Sequence, residues 1–181
     1  NFFDYYNNIN INISSSNSNK VAVIIEPRKH KYLIGVIKNV MSCLGQEWNL
    51  HIFGSDNNES FIKENINGNY IFTNLKILDL NQTSYSLLLQ SLCFWEQIKE
   101  ENIIIFQVDS FINNKNYHIP LHYGFLGAVY QYGNINDDNI FIENISAVGM
   151  SYNLNGGFSF RLRTVMIQCI KNVSLNDIIN H

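Results

Sequence analysis

Glu101-Asn102-Ile103-Ile104-Ile105-Phe106-Gln107-Val108-Asp109-Ser110-Phe111 is the stretch whose reading decides the fold. Ile103 to Phe106 are large and apolar, and three of them are β-branched, the pattern of a strand buried on both faces of a parallel sheet. The run breaks at Gln107-Val108-Asp109-Ser110. A carboxylate at the carboxyl end of such a strand stands where open α/β sheets bind ligands. Left dry, an ionised Asp109 is costly, so it calls for a cation, donors or water. The plain alternative is that Asp109 only opens the next loop.

A second wholly apolar run, Val21-Ala22-Val23-Ile24-Ile25, closes on Glu26-Pro27-Arg28 and predicts the first parallel strand. Leu33, Ile34, Ile37, Val40, Met41 and Leu44 then follow helical spacing, with Gly45 as the stop. Trp48–Phe53 predicts a strand, Glu59–Ile66 a short helix and Leu75–Leu80 another strand. Thr83 or Ser84 is expected to cap one long helix through Tyr85, Leu88, Leu89, Leu92, Trp95 and Ile98. The alternation predicts an α/β fold, Rossmann-like, with a mostly parallel sheet and helices on both faces.

The second half changes character and predicts a smaller, mixed C-terminal part. His122–Ala128 is short and punctuated by glycine, Asn134–Asn139 reads as a polar turn, and Ile140–Ile142 as an edge or antiparallel strand. Asn153-Leu154-Asn155-Gly156-Gly157 reads as a turn with positive φ. Phe158–Arg161 comes next, then a helix from about Arg163. Residues 1–19, rich in Asn and Ser, read as a linker or poorly ordered arm. The alternative is docking of Phe2, Phe3, Tyr5 and Tyr6. Residues 20–181 read as a single domain.

At 181 residues the chain is long enough for one domain with a real core. Its net charge of −3 carries no basic footprint, which argues against nucleic acid as a partner. No apolar run approaches the roughly 20 residues of a membrane span, and no signal-peptide pattern is present. Cys43, Cys93 and Cys169 sit in apolar helical contexts and read as reduced, buried thiols of an intracellular, cytoplasmic protein. The chain begins at Asn1 without Met, which reads as a processed chain or as the ordered part of a longer one with further domains. There is no G-x-G-x-x-G, P-loop or G-x-S-x-G elbow, and no zinc-type histidine spacing.

Three features remain as candidate chemistry: Glu26/Arg28, Gln107/Asp109 and Asn155-Gly156-Gly157. In a parallel sheet the first two share the carboxyl edge. One or two carboxylates plus substrate phosphates are ordinary partners for a hard divalent cation. Arg28 would offer phosphates a forked donor, or else make a surface ion pair. Glu26 would meet a nucleobase or ribose, or cap a helix. Trp48, Phe94 and Trp95 read as core rather than as a stacking platform, and His51 as a satisfied strand histidine.

Glu26-Pro27-Arg28, Asn39-Val40-Met41, Trp48–Phe53, Phe94-Trp95-Glu96, Phe106-Gln107-Val108-Asp109-Ser110 and Asn155–Arg161 resemble, in order and spacing, a GT-A-type glycosyltransferase-like domain family. That family is known from bacteria, fungi and large DNA viruses, and the likeness runs from about Val21 to Lys171. Its F-Q-x-D-S and N-G-G-F-S-[LF]-R blocks are the most specific parts. The resemblance implies a GT-A fold and a metal-dependent hexosyltransferase, with Mn²⁺ or Mg²⁺ as cofactor. It also implies a UDP-sugar donor and a hydroxyl acceptor on a glycan or protein.

Under that resemblance Gln107-Val108-Asp109 takes the place of the D-x-D motif. Asp109 is then the metal ligand, and Gln107 replaces the first acid. Glu26, Arg28, Gln107, Asp109, Asn155, Gly156 and Gly157 form the nucleotide-sugar site. Gly124 stands where relatives carry an acid, and relatives continue past His181 into an acidic segment. Only Asp177 and His181 remain at this end, His181 as an approximate third metal ligand. The catalytic base is not identified, and Asp137-Asp138 reads most simply as a solvated turn. The alternative is a catalytically weak or inactive nucleotide-sugar- or glycan-binding module, favoured by Gln107, Gly124 and the short end.

Overall fold

The structure, a computed structural model, describes residues 2–113, 123–130 and 153–172. The chain runs α1 (Phe2–Asn8), β1 (Asn12–Ile13), β2 (Lys20–Ile25), α2 (Leu33–Leu44), β3 (Asn49–Gly54), α3 (Asp56–Asn65), β4 (Asn67–Gly68) and β5 (Ile71–Asn74). It continues through α4 (Gln82–Leu89), α5 (Leu92–Glu96), β6 (Asn102–Phe106), β7 (Phe125–Tyr130), β8 (Asn153–Leu162) and α6 (Arg163–Asn172).

The main sheet has the order β5-β3-β2-β6-β8-β7. β5, β3, β2 and β6 are parallel to one another, while β8 is antiparallel to both β6 and β7. The chain leaves β2 toward β3 and β5, then crosses back to lay β6 on the other side of β2. Strand order therefore reverses between β2 and β6, which opens a crevice at their carboxyl ends. The fold is α/β, with the mixed edge supplied by the C-terminal strands, as the sequence predicts.

Side-chain alternation divides the core into two layers. Ala22, Ile24, Ile104 and Phe106 pack with Leu33, Ile37 and Val40 of α2 and Ile62 of α3. Val21, Val23, Ile25, Ile103 and Ile105 pack with Phe94, Trp95 and Ile98, with Met166, Ile167 and Ile170 of α6 against them. Trp48, Phe94 and Trp95 are buried, so all three are core residues. No helix among the described residues is long and apolar enough to cross a membrane.

Several expectations are corrected. The arm is not loose: α1 packs across α2, Ile13 is buried, and the Lys38 Nζ donates to Asn7 O at 2.8 Å. Burial lowers the Lys38 pKa, and the helix-end carbonyl is what makes the ammonium tolerable there. Leu75–Leu80 is not a strand, because the Asn74 side chain accepts from Lys76 N at 2.8 Å and Lys76 adopts φ +57°. That Asx turn bends the chain just after β5.

The long helix is two, α4 capped by Asn81 and α5 capped by Ser91, whose hydroxyl accepts from Phe94 N. A cap inside a continuous apolar stripe is invisible to periodicity. Cys43 is half-buried and Cys93 and Cys169 are exposed; all three are free thiols but none is buried. Asn134–Asn139, Ile140–Ile142, Asp137, Asp138, Asp177 and His181 lie outside the described residues.

His51 on β3 is only 1 % exposed and stacks on Phe53 at 4.2 Å. Its Nε2 lies 2.8 Å from Thr73 Oγ1, but its Nδ1 is buried without a partner, so it is half satisfied. Burial pushes its pKa down from 6.5 to about 4. The unfolded chain takes up this proton first. The stability that neutral His51 confers is therefore complete above about pH 6.5 and is lost as pH falls toward 4. The loss approaches roughly 3 kcal/mol at the acid end. Urea titrations at pH 7 and pH 4.5 should show the fall, and His51→Gln should show a smaller one; equal falls would refute the assignment.

Candidate functional site

The two strand ends at the switch point are each held by a buried asparagine from a helix on the α2/α3 side of the sheet. After β2, the Asn58 Nδ2 donates to Glu26 O at 2.6 Å and to Arg28 O at 3.0 Å, while its Oδ1 accepts from Ser55 N at 2.9 Å. The Ser55 hydroxyl donates to Pro27 O. Three successive carbonyls of the Glu-Pro-Arg exit are thus satisfied by the start of α3, which Ser55 also caps.

Within that loop Glu26 is 4 % exposed and both carboxylate oxygens are engaged. The Arg28 Nε donates to Oε1 at 2.7 Å, its Nη2 to Oε2 at 2.8 Å, and its backbone N to Oε1 at 2.9 Å. Glu26 therefore serves as the clamp for Arg28 through both of its carboxylate oxygens. The guanidinium is half-exposed, with Asp79 at 3.6 Å from Nε. The Glu26 hydrogen bond raises the Arg28 pKa against the opposing effect of burial. Among the described residues Nη1 makes no hydrogen bond.

After β6, residues 107–110 form a tight turn. Ser110 N donates to Gln107 O at 2.9 Å, and Gln107 N donates to the Ser110 hydroxyl at 3.0 Å. That hydroxyl donates in turn to Gly157 O at 3.1 Å, tying the turn to β8. Asn39, fully buried in α2, exchanges two hydrogen bonds with the backbone of Ile112, at 3.1 and 2.9 Å. The turn is fixed on both flanks, and Asp109 stands exposed at its tip. Its carboxylate makes no ion pair or hydrogen bond among the described residues.

The third contribution is β8. Gly127 pairs with Ser159 but Ala128 pairs with Asn155, so residues 156–158 bulge from the β7 ladder while Phe158 still pairs with Phe106. The segment is a bulged strand, not the positive-φ turn expected; among the described glycines positive φ occurs at Gly45 and Gly68. A bulge of this kind bends its strand and redirects it. Here it brings Gly156 and Gly157 beside the Gln107–Ser110 turn. Asn155 precedes them on the same strand.

Glu26, Arg28, Gln107, Asp109, Gly156 and Gly157 all line one open cleft of about 1040 Å³. Six of the residues singled out from the sequence are thereby brought together. The far wall is α4, which contributes Gln82, Tyr85, Ser86 and Leu89, and Arg161 reaches the cleft from β8.

Tyr85 and Arg161 are the residues that the sequence reading did not assign to a site. The Tyr85 hydroxyl is buried beside Gln107 but makes no hydrogen bond of acceptable geometry. Burial raises its pKa, with Gln107 opposing. Burial likewise lowers the pKa of Arg161, which is 8 % exposed. One sequence signal did exist: in Phe158-Ser159-Phe160-Arg161 a basic residue alternates onto a face that the strand buries.

No group of three or more His, Cys, Asp or Glu side chains gathers among the described residues. Asp109 offers one carboxylate and Gln107 one amide oxygen. That set fits a hard divalent cation only where ligand oxygens and water complete the shell, a common arrangement for Mg²⁺ with phosphates.

No curated protein matches the chain. A family profile does match, over residues 69–178, more than half of the length, and it spans α4, β6, the Gln107–Ser110 turn and β8. The chain therefore belongs to the family described as "Protein of unknown function (DUF5672)".

Proposed function

We propose that the chain is a glycosyltransferase of GT-A type that moves a sugar from a UDP-sugar to a hydroxyl of a glycan or protein, assisted by Mn²⁺ or Mg²⁺. One observation carries the reading. A clamped cation, Arg28, and a carboxylate unpaired among the described residues, Asp109, line the same cleft at the carboxyl ends of β2 and β6, where strand order reverses. That is where a doubly wound sheet receives a nucleotide. Residues of the F-Q-x-D-S and N-G-G-F-S-F-R blocks line this cleft side by side, from β6 and β8.

In this reading Arg28 binds the diphosphate through the edge that Glu26 leaves open, and the clamp removes the entropy cost of orienting a long side chain. Asp109 holds the cation jointly with the diphosphate. When bound, that cation supplies charge neutralisation for the departing nucleotide. Gln107 donates to or accepts from the ribose or a bound water. Gly156 and Gly157 let the backbone approach the sugar closely. The protein contributes positioning and electrostatics, which suffice for large rate effects without covalent chemistry.

Gln107 in place of a first acid favours a second reading, a nucleotide-sugar- or glycan-binding module with little or no turnover. Calorimetry with UDP, with and without Mn²⁺, should show cation-dependent binding; its absence would remove the glycosyltransferase reading. Release of free UDP from a panel of UDP-sugars then marks the enzyme, and binding without release marks the module.

A further inference from the structure

We propose that the α4 side of the cleft is an oxyanion-recognition subsite, in which Arg161 and Tyr85 take a carboxylate or phosphate group of the bound ligand. Arg161 is only 8 % exposed, yet no carboxylate among the described residues lies within ion-pair reach of it. Its Nε donates to the Ser159 hydroxyl at 3.1 Å, and its guanidinium carbon lies 5.8 Å from the Trp95 ring and 5.0 Å from the Phe125 ring. The terminal nitrogens make no hydrogen bond among the described residues.

Aromatic faces and one hydroxyl compensate a buried cation less than an anion does. A purely structural site at this position would be served as well by an apolar side chain, which often replaces buried charge without loss. The direction of the side chain points to another use. A Cβ placed on Gly156 would lie 2.9 Å from Arg161 Nη2, so the guanidinium edge sits against the glycine wall of the cleft. Tyr85 lines the same cleft, and its hydroxyl is buried without a hydrogen bond among the described residues. Two donors with unused capacity, one charged and one neutral, suit an oxyanion better than a neutral acceptor and disfavour a cation. Ser159, held by its own bond to Gly156 O at 3.1 Å, fixes the guanidinium from behind.

The subsite rests on the nucleotide-sugar reading only for which molecule brings the anion: a phosphate of the nucleotide, or the carboxylate of an acidic sugar. Titration of the 181-residue chain with inorganic pyrophosphate, D-glucuronate and neutral D-glucose tests it without any nucleotide. At least one anion is expected to bind and glucose is not. Arg161→Met should weaken that binding by about tenfold or more, and Tyr85→Phe by roughly threefold, as loss of a charged and a neutral hydrogen bond implies.

The melting temperature of ligand-free Arg161→Met is expected to hold or rise, opposite in sign to its effect on binding. Tyr85→Phe, which keeps the ring, decides the matter should Arg161→Met fail to fold. Preference for pyrophosphate assigns the anion to a phosphate, and preference for glucuronate to a sugar carboxylate. Two results overturn the proposal: neither anion binds, or the affinity is unchanged in both variants. Anion binding without UDP binding would sink the nucleotide-sugar reading and leave this subsite standing.

Discussion

Asp109→Ala is expected to remove the Mn²⁺ dependence of UDP binding and to lower the affinity measured with Mn²⁺ by roughly 100-fold, about 2.8 kcal/mol. The carboxylate stands exposed at the tip of a turn that Ser110 and Asn39 hold without its help. Its removal should therefore leave the unfolding midpoint within about 0.5 kcal/mol of the parent, as for surface changes that break no contact. Affinity without the cation should be nearly the same in both proteins. The reciprocal change, Gln107→Asp, adds the carboxylate missing from the pair and should tighten the cation dependence. An Asp109→Ala protein that still responds to Mn²⁺ would place the cation elsewhere.

Asn58→Ala is expected to cost about 4 kcal/mol of stability, since each buried backbone group left without a partner costs about 1–3 kcal/mol. Its amide serves Glu26 O, Arg28 O and Ser55 N at once and is fully buried. Urea unfolding should show the midpoint lowered with an unchanged slope, the signature of lost stability without a change in what unfolds. Because the same three bonds shape the Glu26-Pro27-Arg28 exit, UDP affinity should fall as well at temperatures where the variant is still folded. A near-neutral result would mean that the exit loop holds its shape without α3.

The parallel half of the fold is readable because its signals are local. Runs such as Val21–Ile25 and Ile103–Phe106 have one explanation each, a strand buried on both faces, and the residues just after each run fall on one edge by geometry alone. Hence Glu26, Arg28, Gln107 and Asp109 are legible without knowledge of any contact. The features that pattern misses depend on single side chains acting on backbone. Asn74 turns the chain where alternation predicts a strand, and Ser91 splits a helix whose apolar stripe runs on unbroken.

The Gly156-Gly157 pair reads as a turn in sequence because a bulge and a turn share the same residues, and only pairing register tells them apart. Tyr85 and Arg161 are invisible as a pair for another reason. One is a stripe position on α4 and the other a strand position on β8, and their shared space exists only once α4 closes over the sheet.

Tyr6 of α1 meets the edge of Phe111 at 6.0 Å, two residues beyond Asp109, while Asn7 caps the ammonium of Lys38 on α2. The first helix thus braces the turn from outside while Asn39 anchors it from within. The amino-terminal segment is a strut of the Gln107–Ser110 turn. An alteration to residues 5–8 is therefore an alteration to the site, although the cleft itself is lined by other elements.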